Sequence, residues 1–251
     1  MRLATCYLKM TRLIFPLERM TGSRERSPRE RLLRLLLWKF TSTREATAER
    51  SGSMMFPLTD GLYMTVEQYL ALDESSDAKY EYLDGYVFLL RPPSSAYDDD
   101  AIIDMAGGSV AHAALCARMA SLLDQALAAS PCTVYTSDAR MKLAEKRYLY
   151  PDVTVACSEQ TGMMLTNPVV VIEVLSPTTE KRDRGAKFKA YKALPSVQEY
   201  VLISSEYQAI EVHRREGNFW RQYHYRSGDL VELKSLGVSF PFDEVYRRIR
   251  L

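Results

Sequence analysis

One stretch of the sequence decides the fold, Val169-Val170-Val171-Ile172-Glu173-Val174-Leu175. All of its residues except Glu173 are apolar and most are β-branched, which is typical of a strand that is covered on both faces. We therefore predict that this stretch is the central strand of a sheet. Glu173 would cost several kcal/mol there if it stayed ionised and unpaired, so it must meet a cation.

The segments around this strand alternate between the periodicities of helices and strands. Ser109 is a suitable N-cap for the helix that precedes the strands, and Pro195 ends the helix that follows them. The predicted elements are a helix over 109–129, strands over 133–143, 148–157 and 168–175, a helix over 182–194, and strands over 197–204, 209–215 and 219–225. This order predicts one α/β domain that ends in an antiparallel pair.

A short helix and a β-ribbon are predicted before this core. Thr65 can cap the helix, and Gln68 three residues later completes a capping box. The alternating run 80–90 carries Asp84-Gly85, a signal for a hairpin turn. Residues 91–108 are predicted to be a loop, and the three aspartates at 98–100 are expected to be solvated there rather than to bind a cation.

Charge is unevenly distributed along the chain. Residues 1–53 hold 12 Lys/Arg against 5 Asp/Glu, a net +7, and residues 54–251 hold 21 against 27, a net −6. A mildly acidic body is not a general polyanion binder. We expect residues 1–53 to be a disordered or spurious N-terminal extension, with Met54 or Met55 as the true start, and residues 54–251 to be a single domain. A basic nucleic-acid arm and a transit peptide are the alternatives for the extension.

The four cysteines, Cys6, Cys116, Cys132 and Cys157, lie far apart and include no CxxC pair. This spacing argues against a thiolate zinc site and against a dense disulfide framework, so we expect a reducing, cytoplasmic location. No apolar run approaches the roughly 20 residues that a membrane span needs, so we expect no membrane partner.

A second carboxylate is expected beside Glu173. Asp152 follows Pro151 at the start of Val153-Thr154-Val155, on the strand-like run just before the central strand. Two carboxylates on adjacent strands can converge on one point. The resulting oxygen-rich environment is the one that Mg²⁺ or Mn²⁺ prefers.

Lys187 is the third candidate. A helical wheel at about 100° per residue places it inside the apolar stripe of its helix, whereas Lys189 and Lys192 fall on the solvent side. A lysine on the packed face needs a carboxylate or phosphate partner, and Asp183 at i−4 is only a partial one. The alternative is a lysine that snorkels over the stripe.

Six fragments of the sequence resemble one family. They are YEYLDG at 80–85, MAGGSVAH at 105–112, SDAR at 137–140, YPDV at 150–153, IEVLSPTTE at 172–180 and DRGAKF at 183–188. Together they resemble the Uma-two family of restriction endonucleases, which belongs to the PD-(D/E)xK nuclease superfamily, and the resemblance covers about residues 64–251. It implies a restriction-endonuclease-like core, a mixed β-sheet flanked by helices, which agrees with the order of elements above.

The resemblance also assigns roles to residues. Pro151-Asp152 corresponds to the PD of the superfamily motif and Glu173 to its second acid, so both are implied as metal ligands and catalytic residues. The superfamily places Lys, or sometimes Gln, two positions after the second acid, but this chain has Leu175 there. The resemblance implies that the lysine has moved to the following helix as Lys187. Residues 91–104 look like an insertion relative to the family.

Glu81 and His112 are auxiliary candidates. Glu81 could supply another ligand oxygen or pair with Lys79 on the ribbon. His112 could bind phosphate, shuttle protons or hold the ribbon by a hydrogen bond, with packing as the alternative. A further trio, Asp138, Arg140 and Lys142, is predicted to share one face of a strand, either at the scissile backbone or as a salt-linked surface.

Three hypotheses about function follow. The first is a Mg²⁺-dependent endonuclease that hydrolyses DNA, with Asp152, Glu173 and Lys187 as catalytic residues. The second is an inactive nucleic-acid or protein-binding module on the nuclease scaffold, which Leu175 favours. The third is an oligomeric scaffold that uses aromatic residues of the run 219–225. DNA is the expected partner, and a homodimer is left open as the assembly.

Overall fold

The computed structural model describes residues 62–76, 78–91 and 109–251. The extension 1–53, its boundary at Met54 or Met55 and the aspartate run at 98–100 lie outside the described residues, so the expectations for them remain predictions. Within the described ranges, no helix is long and apolar enough to cross a membrane.

The described residues form strands and helices in the following chain order. The strands are β1 Leu62–Tyr63, β2 Lys79–Leu83, β3 Tyr86–Arg91, β4 Thr133–Thr136, β5 Met141–Ala144, β6 Arg147–Leu149, β7 Val153–Ala156, β8 Val170–Leu175, β9 Glu199–Ser204, β10 Ile210–Glu216, β11 Phe219–Tyr225, β12 Leu230–Leu233 and β13 Val238–Pro241. The helices are α1 Val66–Ser75, α2 Val110–Ala126, α3 Glu180–Arg182, α4 Phe188–Ala193 and α5 Phe242–Tyr246, with a π-helical turn, Asp183–Lys187, between α3 and α4.

Strand β8 lies in the interior of a six-stranded sheet with the order β11-β10-β9-β8-β7-β4. Every residue of β8 is buried, as the apolar run predicts. β8 and β9 are parallel, whereas the other neighbouring pairs are antiparallel, so the sheet is mixed. Parallel neighbours need a crossover connection. This crossover consists of α3, the π turn and α4, and it carries Lys187 back across the sheet.

The two faces of β8 pack against different parts of the chain. Ile172 and Val174 belong to an apolar cluster that includes α2 and the C-terminal elements. Val171 and Leu175 belong to a second cluster that includes Tyr191 of α4. Because side chains alternate along a strand, Glu173 points to the second face, toward the crossover.

The predicted N-terminal helix and ribbon are present. Thr65 caps α1, and the reciprocal bonds of a capping box with Gln68 both form. Strands β2 and β3 are joined by Asp84 and Gly85, which have φ angles of 50° and 103°. Positive φ at both central residues is what a tight hairpin turn of this kind requires. The ribbon lies in a separate five-stranded sheet with the order β1-β3-β2-β6-β5.

Two predicted strands are each divided in the structure, and this corrects the sequence analysis. The run 133–143 forms β4 and β5, and the run 148–157 forms β6 and β7, with the two strands of each run in different sheets. Continuous β-like sequence cannot reveal such a division, because it depends on which neighbours the chain meets. Pro151 and Asp152 lie in the second break, where the missing amide hydrogen of proline costs no ladder hydrogen bond.

The trio Asp138, Arg140 and Lys142 therefore does not share one strand face. Asp138 and Arg140 lie in the turn between β4 and β5, and only Lys142 lies in β5. Each is ion-paired: Asp138 with Lys79, Arg140 with Asp73 and Lys142 with Glu145. The salt-linked account is the one that the structure shows.

The predicted C-terminal antiparallel pair is β10 and β11, which pair in register from Ile210 opposite Tyr225. The aromatic residues of β11 are divided between two faces: Tyr223 and Tyr225 pack on the α2 side, and Trp220 packs on the crossover side. The further ribbon β12-β13 and helix α5 were not predicted, since their periodic segments are too short to stand out.

Cys132 and Cys157 form a disulfide, next to the paired residues Thr133 and Ala156 of β4 and β7. This bond runs against the expectation of reduced cysteines, since disulfides are rare in reducing compartments. The separation of 25 residues in the chain gives no sign that antiparallel pairing brings the two side chains together.

Candidate active site

Glu173 lies buried in the middle of β8 and is held by two residues of the crossover. The Nζ atom of Lys187 lies 2.7 Å from Oε1 of Glu173. The hydroxyl of Tyr191 donates a hydrogen bond of 2.9 Å to the same oxygen. Lys187 is therefore the cation that the charge of Glu173 requires. It lies in the π-helical turn of the crossover rather than on β8.

Lys187 ends the π-helical turn and is only 3% exposed. Its Nζ atom also lies 3.1 Å from Oε1 of Glu81 and 3.4 Å from Oδ1 of Asp183. A π turn spaces residues differently from an α-helix, yet Lys187 still faces the sheet as the wheel predicts. Lys189 is exposed, and Lys192 stacks on the ring of Phe188 with its Nζ atom 4.5 Å from the ring centroid.

Glu81 extends from β2 into the same cluster and is fully buried. Its Oε1 atom accepts the backbone N–H of Tyr150 at 3.2 Å, besides facing Lys187. Its Oε2 atom lies 2.9 Å from Nη2 of Arg182 but accepts no hydrogen bond from the described residues, because the geometry is not that of a hydrogen bond. The suggested pairing of Glu81 with Lys79 is wrong, since Lys79 pairs with Asp138.

Asp152 lies at the edge of this cluster, in the break before β7. Its Oδ2 atom accepts the backbone N–H of Val174 at 2.8 Å, one residue from Glu173 on β8. The same oxygen lies 3.4 Å from Nε2 of His112, and both of these side chains are 19% exposed. The ladder between β7 and β8 begins at Val153, which lies opposite Ile172. Asp152 is just outside this ladder, and there its side chain, rather than a backbone carbonyl, accepts the N–H of Val174.

His112 lies in the first turn of α2. Its backbone N–H donates a hydrogen bond to the side-chain hydroxyl of Ser109, which is the N-cap of this helix. Its Nδ1 atom is 3.5 Å from the sulfur of Cys116, one turn along the helix. Burial alone would lower the pKa of His112, but the hydrogen bond and charge of Asp152 raise it above its usual value. Of the roles suggested for His112, the structure shows contact with Asp152 and Cys116 rather than with the ribbon.

The buried charges do not balance. The acidic side chains that face one another are Glu81, Asp152, Glu173 and Asp183, and the permanent cations among them are Lys187 and Arg182. When all six are ionised they carry a formal charge of −2. Burial raises the pKa of Glu173 well above its usual value, and the other carboxylates raise it further while Lys187 lowers it. Burial would lower the pKa of Lys187, but the carboxylates raise it well above its usual value.

The donor set fits a divalent cation that prefers oxygen. Oε2 of Glu81 is buried and accepts no hydrogen bond from the described residues, although it is ion-paired with Nη2 of Arg182 at 2.9 Å. Both described contacts of Asp152 go to Oδ2, so its Oδ1 atom is left for a ligand. Carboxylate oxygens with room for water are what Mg²⁺ and Mn²⁺ take, and such an ion would offset the excess negative charge.

Four residues of the site were missed or given a lesser place by the sequence analysis. Arg182 and Tyr191 contact the two buried glutamates, and Asp183 and Cys116 complete the cluster around Lys187 and His112. The charged run 180–187 was a usable signal for Arg182 and Asp183. The four-residue spacing from His112 was the signal for Cys116.

This fold and this cluster of acids around a lysine define an α/β protein of the nuclease-like class. A family model described as "Putative restriction endonuclease", Uma2, matches residues 89–243. The chain belongs to this family, as the resemblance predicts. The matched range begins after Glu81, so the family model does not cover that residue.

Two relatives and one solved structure accompany this match. The uncharacterized protein slr1290 of Synechocystis sp. is 33% identical over 189 residues, which are 73% of this chain and 92% of that protein. The uncharacterized protein sll1609 of the same organism is 30% identical over 161 residues, 62% of this chain and 82% of that protein. A crystal structure of a "putative nuclease belonging to DUF820" from Anabaena variabilis superposes with a TM-score of 0.56 at 17% identity, over 73% of this chain and 97% of that one. At this identity the similarity shows the fold alone.

Proposed function

We propose that the protein is a Mg²⁺- or Mn²⁺-dependent endonuclease that hydrolyses phosphodiester bonds of DNA. One observation supports this most: Asp152, Glu173 and Lys187 converge although they come from three different segments, the break before β7, strand β8 and the π-helical turn. Asp152 accepts a hydrogen bond from β8 one residue from Glu173, and Lys187 lies 2.7 Å from Glu173. Membership in the restriction endonuclease family makes phosphodiester hydrolysis the natural use of this set.

Asp152 and Glu173 would hold the ion, and Glu81 would offer a third oxygen, Oε2, in exchange for its ion pair with Arg182. A bound Mg²⁺ or Mn²⁺ would supply Lewis-acid polarisation of the phosphate and a lowered pKa for a bound water. Tyr191 and Lys187 orient the Glu173 carboxylate by binding its Oε1 atom, and Oε2 would be the oxygen that binds the ion. The Val174 N–H orients Asp152 in the same manner through Oδ2.

Lys187 takes the place of the lysine that the superfamily carries on the strand. Leu175, at the usual position of that lysine, is buried in the apolar cluster on the crossover side and can neither donate a hydrogen bond nor carry charge. The ammonium of Lys187 reaches the carboxylates from the helix instead, where it offsets their charge. A fixed cation at this point also stabilises negative charge that develops in the transition state.

Substrate would approach from the side of Asp152 and His112, because these side chains are partly exposed while Glu81 and Lys187 are almost fully buried. Residues 54–251 carry a net charge of −6, so we expect weak non-specific affinity for DNA that depends on the divalent ion. Binding should weaken further as salt rises.

A plasmid-nicking assay tests this proposal. Supercoiled DNA is incubated with the full chain and Mg²⁺, Mn²⁺ or EDTA, and we expect nicks only with a divalent ion. Asp152→Asn and Glu173→Gln should each abolish nicking, whereas the matched surface variant Lys189→Met should retain it. No nicking by the parent with any ion, together with DNA binding in a gel shift, would favour the binding-module hypothesis.

A further inference from the structure

His112 and Cys116 present two metal-binding atoms to Asp152. They lie four residues apart on α2, so their side chains share one face of the helix. The sulfur of Cys116 is 3.5 Å from Nδ1 of His112, and Nε2 of His112 is 3.4 Å from Oδ2 of Asp152. One ligand atom from each residue lies within 4.8 Å of those of the other two.

These distances suit a tetrahedral ion with short bonds. Zinc binds nitrogen, oxygen and sulfur at about 2.0–2.3 Å, which sets its ligand atoms roughly 3.3–3.8 Å apart. One ion binds one ring nitrogen, and for Nε2 of His112 the 3.4 Å contact with Oδ2 of Asp152 falls in this range. The 3.5 Å contact of the Cys116 sulfur is with the other ring nitrogen, Nδ1. One ligand atom of each of the three residues lies within 4.8 Å of the other two, so an ion would have to draw the more distant ligand atoms closer together.

We propose that His112, Cys116 and Asp152 bind a transition-metal dication of the Zn²⁺ class. The set of imidazole, thiolate and carboxylate favours Zn²⁺ or Co²⁺ over Mg²⁺, which takes oxygen ligands. His112 and Asp152 are each 19% exposed, so water can complete the coordination. Asp152 belongs to both donor sets, which makes it the residue for which the two kinds of ion compete.

A catalytic cysteine would be the other use of a contact between cysteine, histidine and aspartate. Nucleophilic cysteines are found where the surroundings lower the pKa of the thiol. Burial, and after it the charges of Asp152 and Glu173, instead raise the pKa of Cys116. Cys116 is therefore not set up as a nucleophile, and it is the closeness of the three ligand atoms that supports a metal site.

Cobalt provides a direct test, since a bond between thiolate sulfur and Co²⁺ produces a charge-transfer absorption in the near ultraviolet. The full chain, freed of metal with EDTA, is titrated with Co²⁺. We expect this absorption to appear with one equivalent and to be lost in Cys116→Ser, whose hydroxyl has nearly the same size. His112→Ala should weaken Co²⁺ binding at least about tenfold. Cys6→Ser serves as the control and should leave the spectrum unchanged.

A second measurement on the parent keeps the test independent of the folding of any variant. Bound Zn²⁺ should protect Cys116 from alkylation by iodoacetamide, as read by mass spectrometry of its peptide. Absence of the charge-transfer band in the parent, an unchanged band in Cys116→Ser, or equal alkylation with and without Zn²⁺ would each overturn the proposal. Neither readout needs DNA or cleavage, so the result does not depend on the proposed nuclease activity.

Discussion

Replacing Lys187 with methionine removes the cation around which three buried carboxylates are arranged. The Nζ atom lies 2.7, 3.1 and 3.4 Å from oxygens of Glu173, Glu81 and Asp183. Methionine has a similar length and an apolar body, so packing is retained while the charge is lost. What changes is the electrostatic balance of the cluster, because Arg182 is then the one permanent cation left beside its four described carboxylates.

The expected cost in stability follows from this burial. Removing one partner of a buried ion pair typically costs about 3–5 kcal/mol, because the other charge stays buried and uncompensated. For a domain of 150–250 residues, about 2–4 °C is lost per kcal/mol, so Tm should fall by roughly 6–20 °C. The matched variant Lys189→Met alters an exposed lysine and should change Tm by less than about 2 °C.

Thermal unfolding followed by circular dichroism measures this difference. The double variant Lys187→Met/Glu173→Gln should recover part of the loss, since it removes both members of the closest pair. Nicking by Lys187→Met, measured below its Tm, should fall about 10²–10³-fold because one transition-state cation is lost. Equal Tm values and equal nicking rates for Lys187→Met and Lys189→Met would refute the account of the cluster.

Three further predictions rest on other parts of the chain. Isothermal titration with Mn²⁺ should show binding in the parent and near-background heat in Asp152→Asn and Glu173→Gln, and unchanged heats in both variants would contradict a shared ion. Deleting residues 1–53 should leave Tm within a few degrees, because that stretch lacks turn-bounded periodic segments, and a large loss would show that it packs on the domain. Arg184 holds Glu211 at 2.7 and 2.8 Å and lowers the pKa of its carboxyl. The pair therefore stabilises the fold fully above the usual glutamate pKa of 4.5, and this stabilisation is lost as pH falls from there through the lowered pKa of the folded state. Glu211→Gln should cost about 1 kcal/mol at pH 7 by urea unfolding and little at pH 3, and a cost that does not change with pH would be inconsistent with the pair.

The parts of the fold that could be predicted are those set by local chemistry. The apolar run around Glu173 needs cover on both faces wherever it lies, and it is the interior strand β8. The Thr65 capping box and the Asp84-Gly85 turn involve neighbours in the chain, and both form. Pro195 follows α4 closely, and Ser109 caps α2, as their backbone preferences require.

The parts that could not be predicted depend on contacts between distant segments. The run 133–143 forms two strands because β4 and β5 join different sheets. No residue within the run marks the point where it divides. Glu81 meets Lys187 across 106 positions, which a ribbon pattern and a helical wheel cannot relate. The wheel did find the buried side of Lys187, because burial of a helix face is a local property even where a π turn alters the spacing.

The residues of the site form a buried group and a partly exposed group, which come from different segments of the chain. The crossover supplies Lys187 and Tyr191, which are almost fully buried and contact Glu173 on the face of the sheet that the crossover covers. Helix α2 and the break before β7 supply His112 and Asp152, which solvent reaches. Changes in the crossover should therefore alter stability and rate together, because the same charges hold the fold and the site. Changes at His112 should alter metal binding with a smaller effect on Tm, since fewer buried charges depend on it.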